Sequence, residues 1–236
     1  MSIKSRKVGI IGVGNVGSHV AFSIVTRGIC DELVLIDIKE DKVKSEMLDL
    51  KDSLANLDSN MIIKSQDYSE LKDAEILVIA AGPLPRFEQT RLDTLDDGVK
   101  IIDNIMPKVL QSGFDGIILV ITNPCDVISH YVWKKSGFPK NRVIGTGTSL
   151  DSARFKRIMS DIMNIDPKSI QGYSLGEHGD SQMIPWSHMY IGGRPFLEYR
   201  KNKEELKDLD LDKILKETSY AGWEVLLGKG ATCFGI

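Results

Sequence analysis

The sequence is short of several things, and each shortage excludes something. No apolar stretch approaches the length of a membrane-spanning helix, so no bilayer span is expected. Thirty lysines and arginines face 33 aspartates and glutamates, a net charge of −3. That balance leaves no basic excess for coating a nucleic acid or an anionic membrane. Cysteine is rare: Cys30, Cys125 and Cys233 lie far apart. They suit neither a disulfide framework nor a metal-ligand cluster, so no metal is expected and a reducing, cytoplasmic setting is. Internal repeats and low-complexity segments are missing as well. The basic start, Met1 to Lys7, precedes an apolar run as a secretory leader would. That run holds Gly9, Gly12, Gly14, Asn15 and Gly17, which suits a strand and a loop instead. Histidine is scarce, four in 236 residues, so the setting of each one carries weight.

What is present is an alternation of short apolar runs with amphipathic ones. Val8–Ile11, Leu33–Ile36, Met61–Lys64, Ile76–Ala80, Ile117–Ile121 and Arg142–Ile144 read as buried strands. Between them, Asn15–Arg27 (closed by Gly28), Lys39–Leu54, the stretch around Leu92–Gln111 and Asp126–Lys135 read as helices. This order predicts an α/β fold, a doubly wound parallel sheet with helices on both faces. Near residues 145–150 the pattern changes to a helix at Asp151–Met163, short segments at Ser169–Ser174 and Ile184–Ile191, and a charged helix over Lys203–Leu227. Two domains follow, residues 1–147 and an α+β domain over 148–236.

Gly12-Val13-Gly14-Asn15-Val16-Gly17 spells G-x-G-x-x-G between a strand and a helix, and Asp37 follows 20 residues after its last glycine. Alone the glycines could simply make a turn. In this context they form a dinucleotide fingerprint of the Rossmann type. Glycines let the backbone approach a pyrophosphate, and the helix N-terminus supplies N–H groups and positive potential. A carboxylate at Asp37 would accept bonds from ribose hydroxyls and repel a 2′-phosphate, which predicts NAD over NADP. The plainer reading has Asp37 capping the next helix.

The stretch Gly172 to Ser181 sets His178 between two glycines in a polar turn, as an exposed and firmly held imidazole. Asp151 and Arg154 open a helix on one face, and Arg91 follows the loop Gly82–Thr90 with its two prolines. Singly, these are a turn histidine, a local ion pair and a surface arginine. Together they match the reduction of a 2-oxo acid by hydride transfer. The reaction needs a proton donor near neutral pH, for which His178 is suited. A carboxylate such as Asp151 would hold the imidazolium. One guanidinium anchors the substrate carboxylate and a second polarises the carbonyl.

Thr122-Asn123-Pro124, Gly145-Thr146-Gly147, Leu150–Arg154 and Gly176–Asp180, with the glycine turn and Asp37, resemble the L-lactate and malate dehydrogenases. The likeness covers essentially the whole chain and is nearest the L-2-hydroxyisocaproate and lactate branch. It implies that His178 is the proton donor and acceptor, Asp151 its partner, Arg154 the carboxylate anchor and Arg91 the carbonyl-polarising group on a closing loop. It implies that Asn123 contacts the substrate oxygen and the nicotinamide ribose, that Thr146 and Ile236 lie by the nicotinamide, and that Thr232 lines the substrate pocket. Cofactor contacts are implied from Gly12, Gly14, Asn15, Val16, Gly17, Ala81 and Gly82. The implied protein is an NAD-dependent cytoplasmic homo-oligomer, a tetramer or dimer, acting on a small 2-oxo or 2-hydroxy acid.

Three departures from the family stand out. Counting back from Arg91 places Pro85 where lactate enzymes carry glutamine and malate enzymes arginine, which argues against a second substrate carboxylate, although Arg86 is adjacent. A sugar-bisphosphate site would need a basic pair where this chain has Lys156 and Gln171. The family also usually continues past the position of Ile236, so the second domain is expected to be C-terminally shortened, with apolar surface and sheet edges open. Rival readings are malate dehydrogenase, a nucleotide-binding protein that no longer catalyses, and an NAD-dependent glycosidase using Cys125 in a metal site.

Overall fold

The structure is a computed structural model and describes residues 5–83 and 92–234. The chain divides into two compact units, Met1–Thr146 and Gly147–Ile236.

The first unit is built from β1 (Lys7–Ile11), α1 (Asn15–Arg27), β2 (Glu32–Ile36), α2 (Glu40–Ser53), β3 (Ile62–Ser65), β4 (Ile76–Ile79), α3 (Leu95–Gln111), β5 (Ile117–Val120), α4 (Cys125–Ser136) and β6 (Val143–Gly145). The six strands form one parallel sheet in the order β3-β2-β1-β4-β5-β6. Strands buried on both faces read as continuous apolar runs, as in KVGII and ILVI. The strand period of two then sorts their side chains. Val8, Ile10, Leu33, Leu35 and Val78 pack with α1 and α2 residues such as Ala21, Ile24, Val43 and Leu50. Ile11, Val34, Ile36, Leu77 and Ile79 pack on the other face with Ile102, Met106, Ile128 and Val132 of α3 and α4. The sheet order reverses between β1 and β4, and in open sheets of this kind ligands bind at the carboxyl ends of the strands flanking such a switch point.

Charge concentrates at the other end of these strands. Lys7 lies 3.2 Å from Glu32 and 3.5 Å from Glu70, and Lys64 lies 2.7 Å from Glu70. The Lys64 ammonium bonded to Glu70 holds that carboxyl below its usual range. Burial pushes the Glu32 carboxyl up, and the bonds it accepts from Lys7 and Ser5, with the lysine charges, more than reverse this.

The second unit holds α5 (Ser149–Met163), β7 (Ile170–Gln171), β8 (Tyr190–Ile191), β9 (Arg194–Pro195), α6 (Phe196–Lys201), α7 (Glu204–Lys207) and α8 (Leu211–Lys229). Its three short strands pair antiparallel in sequence order. Phe155, Met159, Ile170, Met189 and Phe196 form its core, with Trp186 edge-on to Phe155. The single helix expected over Lys203–Leu227 is instead two. Asp210 breaks it: its carboxylate accepts from the Lys213 amide and starts α8 anew, as an N-cap does. No described helix is long and apolar enough to cross a membrane.

Candidate active site

In the first unit, β1 runs straight into the glycine turn and α1. The three glycines do different work. Gly12 has φ +94°, and a Cβ there would meet the Ala81 nitrogen at 2.3 Å. A Cβ on Gly17 would meet the Gly12 carbonyl oxygen at 1.9 Å. Both are glycine because the chain packs on itself. A Cβ on Gly14 would meet nothing within 4 Å, and Gly14 and Asn15 are exposed. Of the three, Gly14 is the one that leaves a bare backbone for an outside group. Gly14 is also the N-cap of α1, with no side-chain cap and no acidic residue in the first turn. No side chain of the helix itself caps the amides at that end, which suits a pyrophosphate.

Asp37 follows β2. Its Oδ2 accepts from the Val13 amide at 2.7 Å, inside the glycine turn, and its Oδ1 accepts from the Lys39 amide at 2.9 Å. Asp37 therefore turns the chain toward α2 without capping it, since Lys39 is the N-cap, and its other oxygen braces the glycine turn. Burial pushes the nearby Tyr68 hydroxyl above its usual range, and the Asp37 charge adds to this. Val16 is half-buried in α1. Past β4, the Thr122 hydroxyl donates to the Ala81 carbonyl at 2.9 Å. A Cβ on Gly82 would meet the Thr122 methyl at 2.6 Å, so Gly82 has a packing reason of its own. Asn123 is exposed before a cis Asn123–Pro124 bond. Thr146 follows β6, its hydroxyl 3.7 Å from the buried Cys125 sulfur, which is also 4.0 Å from the Ser129 hydroxyl. Among the described residues no group of three or more His, Cys, Asp or Glu side chains could hold a metal.

In the second unit, Asp151 sits in the first turn of α5, where the helix dipole favours an anion. One of its oxygens takes Nδ1 of His178; the other takes Nη1 of Arg154 at 3.2 Å. Side-chain exposure is 1% for Asp151, 9% for His178 and 10% for Arg154. The imidazole expected to be exposed is therefore nearly enclosed, and the turn histidine pairs with a carboxylate. The Asp151–Arg154 pair expected from their spacing is formed, and His178 joins it. A carboxylate can only accept, so Nδ1 carries the proton and the tautomer is fixed.

The turn bearing His178 is pinned at its base by two bonds between Leu175 and Met183, at 2.8 and 2.9 Å. Sequence reasoning missed the residues that fix its interior. The buried Gln182 donates from Nε2 to the Gly179 carbonyl at 2.9 Å and accepts from the Ser174 hydroxyl at 2.7 Å. Ser152 and Thr148 of the α5 start bond the Ser174 backbone in turn. Nothing in the spacing of Gln182 marks it, because its partners come from separate turns of chain. Gly222 of α8 was missed too: a Cβ there would come within 3.1 Å of the Arg154 guanidinium. Thr232 is half-buried beyond α8. Pro85, Arg91 and Ile236 lie outside the described residues. Lys156 places its ammonium 5.0 Å over the Tyr173 ring, and Gln171 is exposed on β7.

A doubly wound sheet with this glycine turn defines a dinucleotide-binding protein, and comparison with known proteins names the group. The family profile for the lactate/malate dehydrogenase NAD-binding domain matches residues 6–145, and that for the lactate/malate dehydrogenase alpha/beta C-terminal domain matches residues 148–236. The chain is 48% identical to an L-lactate dehydrogenase 3 of Bacillus cereus, covering 100% of this chain and 75% of that one. It is 40% identical to an L-lactate dehydrogenase 2 of Lactococcus lactis, with the same coverage. The crystal structure of a minor L-lactate dehydrogenase from Enterococcus mundtii in the ligands-bound form superposes with a TM-score of 0.94 at 40% identity, over 99% of this chain and 74% of that chain. The chain belongs to the lactate/malate dehydrogenase family. It is an NAD-dependent hydroxy-acid oxidoreductase, and it spans about three quarters of the length of these relatives.

Proposed function

We propose that the chain interconverts L-lactate, or a larger apolar L-2-hydroxy acid, with its 2-oxo acid, and that His178, Asp151 and Arg154 are the residues that do it. The observation that carries this is the division of one enclosed carboxylate, Asp151, between an imidazole and a guanidinium. With Nδ1 bound to Asp151, His178 presents its chemistry at Nε2. Protonated, the ring is a donor to the carbonyl oxygen of the oxo acid; neutral, it takes the hydroxyl proton in the reverse direction. Asp151 stabilises the charged ring and fixes its orientation, as in other carboxylate–imidazole pairs. Arg154 meets Asp151 through Nη1, and the planar fork of five N–H donors it carries matches the two oxygens of a substrate carboxylate. Desolvation around Arg154 strengthens that pairing. When bound, the nicotinamide supplies or accepts the hydride at the substrate carbon. The main chain at Gly14 and the carboxylate of Asp37 would hold the dinucleotide, with Ala81 and Gly82 as further contacts and Asn123 and Thr146 beside the nicotinamide half. Arg91 as the carbonyl-polarising group and Pro85 as an apolar specificity residue rest on the sequence alone.

Relatives named L-lactate dehydrogenase at 40% and 48% identity support lactate as the substrate. Support for a cytoplasmic protein comes from its three cysteines, few, buried and far apart in the sequence. The homo-oligomer rests on the family resemblance alone. The experiment is a comparison of pyruvate, 4-methyl-2-oxopentanoate and oxaloacetate with NADH, in the native chain and in His178→Asn. The expected result is turnover of the apolar oxo acids, lowered about 10²–10⁴-fold in the variant with NADH binding kept. Preference for oxaloacetate would make the chain a malate dehydrogenase. An NADH-binding chain that turns over none of the three would refute the assignment.

A further inference from the structure

Gln66 is one of two non-glycine residues with positive φ among the described residues; the other is Asn164. Asn164 is the C-cap of α5, a position where asparagine commonly adopts the left-handed conformation. Gln66 is not at a helix end. Its φ is +66°, immediately after β3, and its amide still donates to the Leu35 carbonyl at 2.9 Å, one step past the end of the strand. Glycine or asparagine would make this bend with less strain. What glutamine adds is its side-chain amide. Oε1 accepts from the Asp37 N–H at 3.1 Å, and Nε2 donates to the Asp37 carbonyl at 2.9 Å. One side chain thus clamps both main-chain polar groups of a single residue. That residue is the one whose carboxylate reaches into the glycine turn at Val13.

We propose that Gln66 is a positioning residue for dinucleotide recognition. Held at N–H and C=O by Gln66, Asp37 cannot rotate its peptide, and its carboxylate stays where it meets the ribose diol and opposes a 2′-phosphate. Each Asp37 oxygen has bonded one backbone amide, and a carboxylate has about four lone-pair sites. Capacity for two hydroxyls therefore remains. Backbone strain kept at the residue that orients a binding group is the pattern of a preorganised site. The proposal rests on the reading of Asp37 as the ribose-binding group.

The test compares Gln66→Gly, Gln66→Asn and Asp37→Ser in the full chain by titration of NADH and of NADPH, with urea unfolding alongside. Gln66→Gly relieves the strained φ and removes the clamp. Gln66→Asn keeps a residue tolerant of that φ on an arm one methylene too short. Both are expected to bind NADH about tenfold more weakly, the equivalent of about 1.4 kcal/mol. NADPH binding should stay unchanged, so the preference for NADH narrows. Asp37→Ser should narrow it further. A purely structural brace predicts that NADH and NADPH affinities fall together, or that neither moves, and either result overturns the proposal. If Asp37→Ser leaves the NADH/NADPH preference intact, the reading of Asp37 itself fails. If Asp37→Ser narrows the preference and both Gln66 variants do not, Gln66 alone is refuted.

Discussion

The two units build their candidate sites from opposite materials. In the first, the work falls to main chain: an uncapped helix end, a bare Gly14 and amides arranged by two glycines that have no room for a Cβ. Its one acidic contributor, Asp37, is held in place by backbone and by an amide side chain. In the second, the site is side chains, with a carboxylate almost out of solvent shared by an imidazole and a guanidinium. Backbone sites tolerate sequence change that preserves conformation. Side-chain sites depend on the identity of a few atoms, and removing one leaves a buried charge exposed to a poor environment.

The largest test of this contrast is Arg154→Leu. It should raise the substrate KM, with a loss of about 3 kcal/mol in kcat/KM, and leave NADH titration unchanged. Equal loss of NADH binding would break the separation of roles. Next comes a pair on the other side, Gly17→Ala and Gly14→Ala. A methyl at position 17 collides with the Gly12 carbonyl and should cost about 3 kcal/mol of urea stability. A methyl at position 14 meets open space, so stability should hold while NADH affinity falls. If Gly14→Ala binds NADH normally, the bare backbone there is not the phosphate seat.

The smallest effect concerns charge in the first unit. Bonding by Lys64 keeps the folded-state carboxyl of Glu70 below its unfolded value, and bonding by Arg6 brings Asp31 down to about 2. A depressed folded-state carboxyl stabilises above the unfolded value, near 4, and that contribution fades as pH falls through the folded one. Glu70→Gln should thus cost about a few tenths of a kcal/mol at pH 7, because solvent screens the pair, and progressively less as pH falls through the folded-state value. Urea midpoints of variant and parent whose gap does not narrow as the solution is acidified below pH 7 would assign the difference to something other than this ion network.

The same contrast explains what could be read from the residues beforehand. Parallel strands betray themselves as apolar runs, and glycines at fixed spacing betray a turn that needs them. Asp151, Arg154 and His178 became legible only as a set, because one reaction required all three. Their enclosure was not legible, since exposure of His178 depends on how the turn from Leu175 to Met183 is folded back. Gln66 and Gln182 escaped entirely. Each acts through hydrogen bonds to main-chain atoms distant in sequence or across a turn, and a glutamine in the row of letters carries no period or spacing that points to them. The break at Asp210 was visible in principle as an acidic residue before a helical run, and the charged pattern on either side hid it.

The strand order also sets a timetable for synthesis. Of the six strands β1 is made before the others, yet it ends up inside the sheet between β2 and β4. Once Ser65 is out, β3, β2 and β1 can pair as a half-sheet whose innermost strand has one row of N–H and C=O groups unmatched. An open apolar edge of this kind invites pairing with a neighbouring nascent chain. It closes when Ile76–Ile79 arrives, so the pace of translation across residues 66–79 governs how long each new chain stays vulnerable to its neighbours.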